Sequence, residues 1–264
     1  MSDAHLNDRA TFGLEVVDSN ARAVMLVHGW SFGPSIWDAV RDLLPREVPV
    51  FAPALPGHGD EDGSGGSESD WLKPFACPEV QGAVWVGWSL GGMLALEAVR
   101  RGIGRPGAML LLAVNPCFIA RDNWPGVATS ELLAMKAQLP NRMTRMLRRF
   151  DALLVSGEPS PDLYASQLRA WRRGNRIESV ALAQGLDWLQ RLDVREVIAQ
   201  AEFPVALVLG DRDPLVPPEI AERPEIAGSM LSRIILPGEG HLLPLSVPER
   251  LADLICELRN NGGV

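Results

Sequence analysis

The sequence is sparing with histidine and cysteine, holding four of the first and three of the second in 264 residues. The cysteines, Cys77, Cys117 and Cys256, are odd in number and spaced neither for a zinc site nor for a disulfide framework, so both scaffolds are excluded and a reducing compartment is expected. No apolar run reaches membrane-spanning length. The first twenty residues are polar and acidic, without the basic start and apolar stretch of a secretory signal, so a cytoplasmic protein with no membrane partner is expected. Positive charge is in deficit, 25 Lys and Arg against 33 Asp and Glu for a net −8. That balance argues against nucleic acid as a partner. There is no Gly-rich phosphate loop, no internal repeat, and no low-complexity segment beyond "GDEDGSGGSESD" at 59–70, which reads as a solvated loop.

Short, continuous apolar runs are plentiful: "AVMLVHG" at 23–29, "VPVFAPALPG" at 48–57, "AVWVGWS" at 83–89, "AMLLLAVNP" at 108–116, "VALVLGD" at 205–211 and "SRIILPG" at 232–238. Continuous rather than alternating hydrophobicity indicates strands buried on both faces, hence a parallel sheet under helices. Segments of helical spacing lie between them, at 35–44, 91–102 and in "VPERLADLICELRN". The alternation predicts a doubly wound, mostly parallel α/β sheet. From about Ala120 to Gln190 only helical patterns occur, broken by Pro and Gly. They predict a helical cap at 120–190, inserted between core segments 1–119 and 191–264.

Gly87-Trp88-Ser89-Leu90-Gly91 closes one apolar run and opens a helical pattern, the context that makes G-x-S-x-G a nucleophile elbow. Small neighbours let the turn tighten and expose the serine hydroxyl. Of the four histidines, His5 lies in the polar amino-terminal stretch, and His28 and His58 sit in turns after early strands, where hydrogen bonding within loops is their expected work. His241, between the last strand and the final helix, is the candidate base on the carboxyl edge of the sheet. The acid that orients it is Asp213 or Asp211 in "LVLGDRDPLVP". Asp213 is preferred, because Asp211 directly after the strand is better placed to bind turn amides. The oxyanion donors expected are the amides of Leu90, after the nucleophile, and of Trp30, in the loop "HGWSFG". The indoles of Trp30 and Trp88 would line an apolar pocket, although for either one alone core packing is the commoner role.

With these residues assembled, the chain resembles the α/β-hydrolases, and among them the pimeloyl-[acyl-carrier protein] methyl ester esterases of biotin synthesis. "LVHGW", "LPGHG" and "VGWSLGG" are similar to their core. "PCFIARDNWPGV" at 116–127, "RRFDAL" and "GLDWLQRLDVRE" are similar to their cap and are the more specific. The resemblance implies a serine carboxylesterase with Ser89, Asp213 and His241 as its triad, Trp30 and Leu90 at the oxyanion, Phe150 touching substrate, and no metal or cofactor. It implies an acyl-carrier protein as partner, docked on Arg145 and Arg149. Beyond Gly157 the spacing departs from the family's, and Arg169, Arg172 or Arg173 would supply the next contact, with Arg172 taken as the choice. A monomer is expected. A general short-chain carboxylesterase or thioesterase is the alternative, followed by a non-catalytic ligand receptor on the same fold.

Charge distribution points to the same partner independently. Residues 141–176 carry eight arginines and three acids, a net +5 within a chain of net −8. A basic cap on an acidic body steers an acidic partner. Arg142, Arg145 and Arg149 recur at helical spacing and are expected to share one face.

Overall fold

The computed structural model describes residues 22–59, 65–175 and 177–261. The amino-terminal stretch with His5, residues 60–64 of the acidic loop, and Arg176 lie outside them. Strands β1 (Val24–Val27), β2 (Val50–Phe51), β3 (Val84–Trp88), β4 (Ala108–Leu112), β5 (Val205–Gly210) and β6 (Leu231–Leu236) form one sheet in the order β2-β1-β3-β4-β5-β6, with every pairing parallel. Helices α1 (Asp38–Leu43), α2 (Glu68–Leu72) and α3 (Leu90–Arg100) lie among the first strands. Between β4 and β5 come α4 (Thr129–Ser156), α5 (Pro161–Gly174), α6 (Ser179–Arg191) and α7 (Arg195–Ala199), and β6 is followed by α8 (Leu243–Ser246) and α9 (Pro248–Asn261).

β1, β3, β4 and β5 are buried at every position, which is why they read as unbroken apolar runs. One side of the sheet packs with Val40 of α1 and Leu251, Leu254 and Ile255 of α9. The other packs with Leu94 and Ala98 of α3 and, beyond them, Leu182 and Leu186 of α6. β6 corrects the sequence reading. It is an edge strand with alternating burial, and Arg233 and Ile235 face outward, so its apolar run does not mark two covered faces.

α4 consists of two helical limbs, as the patterns on either side of Pro140 led one to expect, and the limbs meet at a kink where Arg142 takes non-helical angles (φ −138, ψ 22). Pro140, two residues before the kink, has no N–H to give to the helical ladder. Arg145 and Arg149 share the limb after the kink. Arg142 stands at the kink itself, so the regular spacing expected to align it with them is interrupted there. Among the described residues no helix is long and apolar enough to cross a membrane.

Candidate active site

Four loops meet at the carboxyl edge of the sheet, after β1, β3, β5 and β6. The turn from β3 into α3 is the tightest. Ser89 holds φ 54 and ψ −119, outside the regions open to most residues, at a cost of about 1–3 kcal/mol that the surroundings must offset. They do so sterically. A Cβ on Gly87 would come 2.3 Å from the Gly92 Cα, and one on Gly91 would come 2.4 Å from the Val27 carbonyl oxygen. The Ser89 amide donates to the Leu112 carbonyl at 2.8 Å, and the Ser89 carbonyl accepts from Gly92 and Met93. Between Ala83 and Ala98 every residue is buried except Ser89. The strained turn therefore presents this one side chain at the surface of the core.

His241 and Asp213 come together as the sequence suggested. The imidazole Nδ1 lies 2.7 Å from Asp213 Oδ2, and both side chains are buried. The other carboxylate oxygen, Oδ1, accepts the amides of Leu215 (2.8 Å) and Val216 (3.0 Å). A carboxylate fixed in this way takes the Nδ1 proton as its donor and leaves Nε2 as the basic nitrogen. Asp211 is exposed and accepts the Gly238 amide at 2.7 Å, the turn-binding work anticipated for it. The ring of Trp88, the residue before Ser89, lies 5.6 Å from the His241 imidazole, and among the described residues no hydrogen bond joins Ser89 Oγ to that ring.

Trp88 differs from its expected role. It is 1% exposed, packs on Phe32 at 4.8 Å, and donates its indole N–H to the His241 carbonyl at 2.8 Å. It belongs to the core on the α1 and α9 side and supports the histidine loop, rather than sharing a wall with Trp30. Trp30 and Phe150 do meet, edge to face at 4.9 Å, and the Trp30 indole donates to the Leu182 carbonyl of α6. Among the described residues, neither the Trp30 nor the Leu90 amide is taken up by another group, so both remain free to donate.

His28 and His58 lie beneath this loop, both fully buried, their rings 5.1 Å apart. His28 Nε2 accepts the Leu55 amide and Nδ1 donates to the Gly29 carbonyl. His58 Nδ1 donates to the Pro56 carbonyl. Burial pushes them down to about 3 and about 4, so both are neutral at physiological pH.

One residue with a place here had no signal in the sequence. Glu158, just past the end of α4, is 4% exposed, and its Oε1 accepts the amide of Leu242, the residue after His241, at 2.7 Å. Among the described residues its buried Oε2 has no partner, and burial pushes the carboxyl up to about 7 against the pull of the Leu242 amide and His241. The chain is close on both sides. A Cβ on Gly240 would lie 2.5 Å from Glu158 Oε1, and one on Gly157 would lie 2.1 Å from the Arg212 carbonyl oxygen. With a folded-state pKa above the ordinary 4.5, Glu158 favours the fold below pH 4.5 and loses that contribution as pH rises to 7. Glu158→Gln keeps an acceptor for Leu242 and cannot ionise. Relative to wild type it should gain about 2 kcal/mol in unfolding free energy between pH 5 and pH 8, measured by urea titration at each pH. An unchanged difference would show that Glu158 ionises freely in the fold.

Of the arginines expected to dock a partner, Arg142, Arg145 and Arg149 are exposed. Arg172 is not available in the same way. Its guanidinium binds Asp151 at 2.7 Å, Ser31 Oγ at 3.0 Å and the Ser31 carbonyl, with only 15% of the side chain exposed. Among the described residues no group of three or more His, Cys, Asp or Glu side chains is placed to hold a metal ion.

A half-buried serine on a strained strand-to-helix turn, a buried Asp-His pair and two free amides at the end of a parallel sheet make an arrangement able to carry out acyl transfer. The chain belongs to the alpha/beta hydrolase family, whose model matches residues 24–254. Within that family it is 32% identical over 245 residues to the pimeloyl-[acyl-carrier protein] methyl ester esterase of Aromatoleum aromaticum, covering 89% of this chain and 97% of that one. The enzyme of the same name from Yersinia enterocolitica is 29% identical over 236 residues, covering 89% and 92%. Among solved structures, an esterase from Exiguobacterium antarcticum superposes with a TM-score of 0.78 at 18% identity, over 93% of this chain and 94% of its own. A bromoperoxidase from Bacillus anthracis reaches 0.78 at 18% identity, over 91% and 93%. At such identities these two establish the fold alone.

Proposed function

We propose that this protein is a serine carboxylesterase that removes the methyl ester from a pimeloyl group borne on acyl-carrier protein, releasing methanol, in biotin synthesis. The observation that carries the reading is the likeness to curated esterases of that name along about nine-tenths of the chain, helices between the strands included. The helices between Ala120 and Gln190 act as the cap over a core made by the segments before and after them.

In this mechanism His241 Nε2 takes the proton of Ser89 Oγ as the oxygen attacks the ester carbonyl. The tetrahedral oxyanion is held by the Trp30 and Leu90 amides, aided by the positive end of α3. His241 then returns the proton to the leaving methoxide, methanol departs, and a water activated by the same nitrogen releases the acid from Ser89. Asp213 holds the imidazole through both steps and stabilises its charged form. Trp30 and Phe150 give the substrate an apolar wall. A neutral methyl ester suits it, while the carboxylate product would lose hydration there, which favours its release.

The carrier docks on the cap, on Arg145 and Arg149, with Arg142 at the kink beside them. All three are exposed, and among the described residues none is paired with an acid, so their charge is open to an acidic protein. The double variant Arg145→Ala/Arg149→Ala should raise KM for the carrier-borne methyl ester about tenfold or more and weaken its salt dependence. Hydrolysis of a small neutral ester should stay within about twofold, since both side chains are exposed and neither takes part in the hydrogen bonds of Asp213 and His241. Equal kinetics on both substrates would remove the docking face from the proposal.

A further inference from the structure

The loop that carries the Trp30 amide does not stand by itself. Ser31 has φ 63, a left-handed conformation that a residue with a Cβ adopts only when its surroundings impose it, and the side chain is fully buried. The group imposing it comes from the cap. Arg172 of α5 donates to both the carbonyl and the hydroxyl of Ser31. The guanidinium is held from behind by both oxygens of Asp151 on α4, at 2.7 and 3.2 Å, and lies over the Phe32 ring at 4.7 Å. The pair is shielded, with 15% and 16% of the two side chains exposed, so the ion pair is stronger than one in open solvent. On the other side of Ser31, the Trp30 indole is tied to α6 through Leu182. Two cap helices thus grip successive residues of a loop that passes beside Ser89, where a Cβ on the preceding Gly29 would lie 3.3 Å from the Ser89 Cβ.

We propose that Arg172, backed by Asp151, is a positioning residue that fixes the Trp30–Ser31 turn so that the Trp30 amide points at the oxyanion. The inference rests on the esterase reading above and gives Arg172 a role other than docking. A planar fork is required, because one guanidinium must serve the Ser31 carbonyl, its hydroxyl and the Asp151 carboxylate together, which an ammonium cannot match. Oxyanion donors act in the transition state more than in the bound substrate, so a misplaced amide lowers kcat and leaves KM nearly unchanged.

The test is steady-state hydrolysis of a small neutral ester by the full-length wild type, Arg172→Gln, Arg172→Lys and Asp151→Asn, with a trifluoromethyl ketone as mimic of the tetrahedral oxyanion. Arg172→Gln should lose about tenfold to a hundredfold in kcat with KM within about twofold, and should bind the ketone more weakly by a similar factor. Arg172→Lys should recover part of the loss. If Arg172→Gln fails to fold, Asp151→Asn, which keeps the arginine and loosens it, should show a smaller kcat loss of the same kind. Unchanged kcat in the folded variants, with any loss confined to the carrier-borne ester, would make Arg172 a docking residue and overturn the proposal. Lower thermal stability with unchanged kcat and ketone affinity would overturn it too. A wild type inert toward both small and carrier-borne esters would overturn the esterase reading itself, an outcome distinct from the other two.

Discussion

Asp213→Asn should lower kcat/KM on a small ester by about 10⁴-fold while leaving the fold intact. The geometry gives the reason. Oδ1 of Asp213 is already committed to the amides of Leu215 and Val216, so the asparagine carbonyl takes that place and its NH₂ group faces His241 Nδ1. A donor there forces Nδ1 to become the acceptor and moves the ring proton to Nε2. The nitrogen that must receive the serine proton then carries one of its own. Ser89→Ala should fall at least as far, because no second hydroxyl occupies the turn. Kinetics and thermal unfolding on the same preparations check the pair. A loss under about tenfold in Asp213→Asn with unchanged stability would mean that the buried pair does not set the tautomer.

Acid should unfold this protein earlier than its surface charge suggests, through His28 and His58. Both are neutral when folded, pushed down to about 3 and about 4 by burial, whereas in an unfolded chain each titrates near 6.5. Between those values the unfolded chain binds protons that the fold cannot. Stability is therefore complete above pH 6.5 and is lost as pH falls toward 4 and then 3, by as much as about 1.4 kcal/mol per pH unit for each ring. Each is further disfavoured as a cation by a neighbour: His28 by His58, and His58 by Arg172. Glu158 acts in the opposite direction between pH 4.5 and 7 and partly masks the loss there, so the two histidines dominate from about pH 5 downward. Between pH 5 and pH 4 the unfolding free energy should drop by about 2 kcal/mol, and His58→Gln should flatten that slope by about half. Denaturant titrations at the two pH values decide it. An unchanged slope in the variant would show that His58 is protonated inside the fold.

The fold was largely legible because a parallel sheet writes itself as apolar runs, and β1, β3, β4 and β5 are buried throughout. β6 carries the same run of letters at an edge, and composition alone does not distinguish the two settings. Trp88 could have been placed from strand alternation. Val84, Val86 and Trp88 fall on one face of β3, the face that packs with α9, so its indole had to enter that core. The arginines mark a different limit. Arg145 and Arg172 look alike in sequence, and only the tertiary meeting of α4, α5 and the loop after β1 makes one exposed and the other a clamp on Ser31. Glu158 is a lone acid between Gly157 and Pro159, with no periodicity or motif around it. Its contact with the histidine loop spans 84 positions in the chain.

Hydrolysis at Ser89 of a methyl ester carried on an acyl-carrier protein can be read by mass spectrometry of pimeloyl-acyl-carrier protein methyl ester after incubation with wild type and with Ser89→Ala. The wild type should replace the ester methyl by hydrogen, lowering the mass of the carrier-borne group by that of one CH₂, and leave the link to the carrier intact, while Ser89→Ala should return the substrate unchanged. Release of the whole acyl group from the carrier, or an untouched carrier beside rapid cleavage of small esters, would contradict it.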